Sequence, residues 1–260
     1  MSPPDLSKLI EDWPYESDKI SVRKIIGADG RVKLQMRVDL GLLQMEPDGR
    51  PDGQRPHEFD SLVDFHRHEL QRYEQRNGTT LGFQLSQAEC RALGEEMNTF
   101  YQRYLCYFVL EEFDRVERDT GYSLATIDLC LNYAEEQPDR LRFVPLRPYV
   151  MMMHTRAKVY QSLGDGALRT ALAQIDSGLA DIRAHLEHYD QEDAYKSSAE
   201  VKFLEALREE IAGRIPEEPL VKLRRELSDA VREERYEEAA RLRDKLADLS
   251  PPTPPSKSDP

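Results

Sequence analysis

The residues best placed to do chemistry are histidines and carboxylates spaced along helical faces. Asp60, Asp64 and His68 follow one another at i, i+4 and i+8, with His66 on another face. Asp181, His185 and His188 make a second stripe, Asp-x3-His-x2-His. Side chains three and four residues apart share a helix face, so either stripe could offer two or three ligands to a metal. A catalytic zinc site needs a further ligand and a general base, and neither is marked. Both stripes are therefore read as solvated faces, and no metal is assigned. His154, after Met151, Met152 and Met153, reads as a satisfied core or boundary histidine beside core-filling methionines. Cys90, Cys106 and Cys130 have apolar neighbours and no adjacent His, which makes them small buried hydrophobes rather than nucleophiles. They form neither a disulfide framework nor a CxxC zinc pair.

Phe100, Tyr101, Tyr104, Tyr107, Phe108 and Phe113 spread around a helix, and Glu111, Glu112 and Asp114 accompany them. A stacking platform for nucleic acid would carry Arg and Lys instead, so this run predicts a buried central helix. The whole chain has 49 acidic and 36 basic residues, a net charge of -13 with no basic cluster, so direct nucleic-acid binding is not expected. No apolar run is long enough to span a bilayer, and the start lacks an apolar stretch behind a basic one. The expectation is a soluble cytoplasmic protein with no membrane association. No catalytic constellation is marked and no cofactor is assigned.

The elements that must carry these residues begin at Ile20–Ile26, a strand, followed by a turn at Gly27–Gly30. Val32, Leu34, Met36, Val38 and Leu40 alternate with Arg31, Lys33, Gln35, Arg37 and Asp39, predicting a strand with one core face and one wet face. A bulge or bend is expected at Gly41, then a short third strand. Residues 47–56, PDGRPDGQRP, form a turn-rich loop. Helices are expected over 57–76, from Ser86 to about Arg118 with a Ser86/Glu89 capping box, and over 122–136, 147–163, 166–189 and 193–213. An extended piece fits Thr79–Leu85.

Ala125, Leu129 and Ala134, and again Ala171, Ile175 and Leu179, put small and large residues on one face, about 46 residues apart. That pattern resembles tetratricopeptide-type hairpins, but the spacing is longer than that repeat and its Trp-Leu-Gly signature is absent. A generic antiparallel bundle is the preferred reading, with tetratricopeptide-like hairpins as the alternative.

The most specific segment is PLVKLRRELSDAVREERYEEAARLRDKLADL, residues 219–249. Leu220, Leu223, Leu227 and Ala230 make a heptad seam widened by Val231, and Ala239, Leu242, Leu246 and Leu249 repeat it. Between them Glu233-Glu234-Arg235-Tyr236 allows the chain to fold back, giving an antiparallel helical hairpin closed by the Tyr236 ring. Within 217–249 there are 10 acidic and 8 basic residues of mixed order, a solvated outer face.

This segment resembles the UVR motif shared by the excision-nuclease subunits UvrB and UvrC, class C Clp-type ATPases and the activator of the protein-arginine kinase. The matching residues are Leu223, Leu227, Ala230, Tyr236-Glu237, Ala239-Ala240, Arg243-Asp244 and Leu246, with Tyr236 where the family usually has Phe. The resemblance implies a docking module whose partner is a protein carrying a similar hairpin or a second copy of the chain. Leu223, Leu227, Ala230, Val231, Tyr236, Ala239, Ala240 and Leu246 would make the contact, and Arg243 and Asp244 would orient it. Excision, ATPase and zinc-binding roles do not carry over, because the chain has no P-loop and no CxxC pair.

The expected fold is mainly α: a helical bundle with a small N-terminal antiparallel β element and a C-terminal hairpin. Its parts are an N-terminal arm (1–18), the β element and loop (19–56), the bundle (57–215), the hairpin (217–249) and a Pro-rich disordered tail (250–260). The expected function is a non-catalytic adaptor or regulator in nucleotide-excision repair or Clp-type protein quality control. The alternative is an enzyme or metal-binding helical domain carrying an appended structural hairpin.

Overall fold

The alternating segment forms the central strand of a three-stranded antiparallel sheet in the computed structural model, which describes residues 5–215 and 219–249. The first four residues and the tail lie outside the described residues, as do the side chains of Leu220 and Leu249. The strands are β1 (Val22–Ile26), β2 (Val32–Val38) and β3 (Gly41–Met45), in spatial order β1-β2-β3. Leu34 and Met36 face the core with Met45. The expectation of a wet opposite face on β2 is overturned: Lys33 and Gln35 are also buried, at 7% and 5% exposure. Their polar ends are satisfied where they lie. Lys33 pairs with Asp29 and Glu46, while Gln35 accepts from Arg23 and donates to Gln44 across the sheet. Leu40, assigned to the core face, is instead 89% exposed in the turn before β3. Of the expected bulge or bend, the chain makes the bend: it turns at Asp39–Leu40, and Gly41 pairs with Val38 to open β3.

The N-terminal arm includes a short helix α1 (Ser7–Ile10) that the sequence did not mark. Beyond it, Trp13 Nε1 donates to Ser21 Oγ at 2.6 Å, and the Arg23 guanidinium lies 4.1 Å from the indole centroid.

The remaining helices of this part are α2 (Leu62–Asn77), α3 (Gln87–Val109), α4 (Phe113–Tyr133), α5 (Gln137–Leu141), α6 (Arg147–Gly164), α7 (Leu168–His188), α8 (Glu192–Ser197) and α9 (Ala199–Arg214). Helix α2 starts later than expected, because Ser61 caps it by accepting from the Asp64 N–H; Gly78 ends it in the left-handed region. Ser86 and Glu89 form the full capping box of α3. Of the expected extended piece, Leu85 makes an isolated bridge to Ala134. The expected final bundle helix is two, α8 and α9, separated at Ser198, whose hydroxyl accepts from the Val201 N–H.

The helix expected to run to Arg118 ends instead at Val109, and Gly121 sits inside α4. The reversal is a Schellman closure, in which Glu111 N–H donates to Phe108 O and Glu112 N–H to Tyr107 O. Glu111 takes the left-handed position at φ 58°. The same pair of bonds ends α6 at Gly166 and α7 at Asp190. Only Gly166 announces itself by composition, which is why the sequence located that break and missed the one at 110–112.

Helices α3, α4, α6 and α7 pack successively, with α2 against α3 and α4. One hydrophobic cluster joins the sheet to Tyr104 and Tyr107 of α3, Met153 of α6, Ile175 and Ile182 of α7 and Leu204 of α9. A second joins Val63, Leu93, Ile127, Leu129 and Phe143. Ala125 and Leu129 belong to the second cluster and Ala171 and Ile175 to the first, so the two similar faces do not line one continuous stack. The chain divides into two compact units with the boundary at Ala212–Gly213.

Helices α6 and α7 meet closely at Gly178, where an added Cβ would lie 2.3 Å from Thr155 Oγ1 and 2.7 Å from its Cγ2. Alanine adds about 1 kcal/mol of helix propensity there, while overpacking against a β-branched neighbour costs about 1–3 kcal/mol. Gly178→Ala should therefore lower the thermal midpoint, and Thr155→Ala in the same chain should restore part of the loss. A Gly178→Ala protein that melts above the parent would show that the contact is not tight.

Candidate docking site

The C-terminal unit consists of α10 (Pro219–Arg232) and α11 (Tyr236–Leu249), packed against each other. Its core is small: Ala230, Ala239 and Leu242 are buried, and Leu223 and Leu227 pack partly against them. Helices of 14 residues are marginal alone, so this seam must hold them together. The alanines let the two backbones approach closely. The turn is another Schellman closure, with Glu234 N–H donating to Val231 O and Arg235 N–H to Ala230 O. Glu234 holds the left-handed position at φ 58°. Arg235 then pairs with Glu233 at 2.9 Å and with Glu238, and these hydrogen bonds and charges hold its guanidinium above the ordinary range.

The expected tyrosine closure does not occur. Tyr236 is 67% exposed, because it begins α11 beyond the reversal and alanines occupy the seam. Val231 is 53% exposed, and Ala240 is exposed too. Arg243 and Asp244 pair with each other at 3.2 Å on the outer surface. Leu246 is half-buried. The residues named from the sequence thus divide into an inner set (Leu223, Leu227, Ala230, Ala239) that holds the hairpin and an outer set (Val231, Tyr236, Ala240, Arg243, Asp244) that faces outward. The UvrB/uvrC motif family model matches residues 217–250. The hairpin is a UVR motif. No curated protein and no solved structure matches the chain.

Outside the UVR hairpin, the possible ligand stripes do not converge. Among the described residues no three His, Cys, Asp or Glu side chains are grouped to hold a metal ion. Asp60 pairs with Arg55, Asp64 accepts from the Ser61 hydroxyl, and the His68 ring lies against Phe59. His185 Nε2 lies 2.9 Å from Val144 O, and His154 Nδ1 lies 2.9 Å from Thr120 Oγ1. Burial pushes the imidazoles of His66, His154 and His185 below their ordinary range. Cys90, Cys106 and Cys130 are free and buried, and burial raises all three thiols. Among the described residues no helix is long and apolar enough to cross a membrane.

The sequence did not mark Glu234 as the left-handed residue of the turn, since glycine is the usual signal there. An L-residue pays about 1–2 kcal/mol in that conformation, partly offset by glycine's greater unfolded entropy. Glu234→Gly should stabilise the UVR hairpin by about 0.5–1 kcal/mol, slowing amide exchange at Leu242 a few-fold; Glu234→Val should speed it. Equal exchange in all three proteins would show that this turn does not limit hairpin opening.

Proposed function

We propose that this chain is a non-catalytic adaptor or regulator that docks onto another protein through its UVR hairpin. The observation carrying this reading is the outward placement of Val231 and Tyr236, apolar and aromatic groups that the hairpin's own small core leaves uncovered. Tyrosine is enriched among residues that dominate binding energy, and burying a valine contributes about 1.5 kcal/mol or more. A hairpin held by a few aliphatic side chains gains substantially from covering both. A facing hairpin of the same kind is the natural partner, supplied by a foreign protein or by a second copy. The exposed Arg243 and Asp244 pair supplies both signs of charge and would fix the orientation of that contact. The family match favours partners in UvrABC-type excision repair or Clp-linked protein quality control. The net charge of -13 favours a protein over nucleic acid as the contact.

The test is affinity capture with the full chain carrying Val231→Asp and Tyr236→Asp. Neither residue belongs to the hairpin core, so circular dichroism should be unchanged while partner recovery falls at least tenfold. Leu227→Asp should also lose the partner, but by loosening the hairpin itself. Undiminished recovery by the double variant would refute docking through this face.

A further inference from the structure

Between α3, the Ser123 turn of α4 and the start of α6 lies a half-enclosed cavity of about 370 Å³. Met97, Leu146 and Val150 supply aliphatic walls, and Tyr101, Tyr104 and Tyr149 supply rings. The Tyr101 and Tyr104 rings meet edge to face, 5.4 Å apart at 88°, and Tyr149 lies 6.2 Å from Tyr101. Ring edges and faces presented together suit an aromatic guest. No Asp, Glu, Lys or Arg lines the space, so nothing there would compensate a charged one. The volume falls within the range of small-molecule pockets.

One polar group bears on the space. Tyr104 is 1% exposed and borders the cavity, and it carries a hydroxyl of the kind that buried phenols ordinarily use in a hydrogen bond. Burial, with Tyr149 and Tyr101 nearby, keeps this phenol protonated and hence a donor. Ser123 already donates to Asp119 O, and Asn98 is exposed.

We propose that this cavity binds an uncharged, flat aromatic molecule, about two fused rings in size, that accepts a hydrogen bond from the Tyr104 hydroxyl. The site is separate from the UVR hairpin and does not depend on the docking role. The test uses the full chain and two neutral fluorescent probes. One is Prodan, a naphthalene bearing a ketone acceptor; the other is 2-dimethylaminonaphthalene, which lacks the ketone. Prodan should bind saturably at one per chain with blue-shifted emission. Tyr104→Phe should weaken Prodan about fivefold to tenfold and leave the ketone-free probe within twofold. Met97→Trp, or Leu146→Trp at the more exposed edge, should remove both probes while the melting transition is retained. Absence of saturable Prodan binding, or parental affinity in both folded tryptophan variants, would overturn the proposal. Equal weakening of both probes by Tyr104→Phe would overturn the hydrogen bond it rests on.

Discussion

The larger unit depends on one buried guanidinium. Arg103 and Asp119 are both fully buried, and they form a bidentate pair with Arg103 Nε and Nη2 at 2.7 and 2.8 Å from the two carboxylate oxygens. The remaining nitrogen, Nη1, donates to the backbone carbonyls of Glu46 and Gly49. One side chain thereby ties α3 to α4 and both to the loop leaving the sheet. Arg115 and Arg118 reinforce this from α4 by reaching Asp48, and Tyr107 donates to Pro47 O. Burial pulls the Arg118 guanidinium down, but Asp119 and its other partners hold it above its ordinary range. Such a cluster contributes less to net stability than to uniqueness of arrangement, since desolvation consumes much of its attraction. Removing one partner is another matter: an unpaired buried charge costs about 3–5 kcal/mol. Glu96 plays a related part, being buried and accepting the Leu62 N–H at the start of α2.

Much of this fold can be read from residues that act locally. The period of two in Val32–Val38, the Ser86/Glu89 box, and the glycines at 78 and 166 each mark an element or its end, and the structure places them there. The heptad seam of the hairpin is equally legible, because Leu223, Leu227, Ala230, Ala239 and Leu242 do pack together. What escaped is of two kinds. The helix end at which Glu111 adopts the glycine conformation carries no compositional mark. Polar residues that tertiary contacts bury carry none either: nothing in local pattern pairs Arg103 with Asp119, or distinguishes Lys33 from a wet-face lysine. The pocket beside Tyr104 belongs to this second kind, since it is assembled from α3, α4 and the start of α6.

The two units differ in how much of their apolar surface is used. In the first, one extensive cluster takes in Tyr101, Tyr104, Tyr107 and Phe108 of the aromatic run, and Phe100 is buried as well. In the second, a few aliphatic side chains hold two short helices, and the tyrosine at the turn faces outward. That contrast supports the proposed docking role of the hairpin, where the family model matches residues 217–250. The most direct measurement is affinity capture from native lysate with the full chain and with a chain ending at Ile215, read by mass spectrometry. The account predicts that at least one partner is retained by the full chain alone, while the shortened chain keeps the melting transition of the larger unit. Identical partner sets from two folded proteins would contradict it.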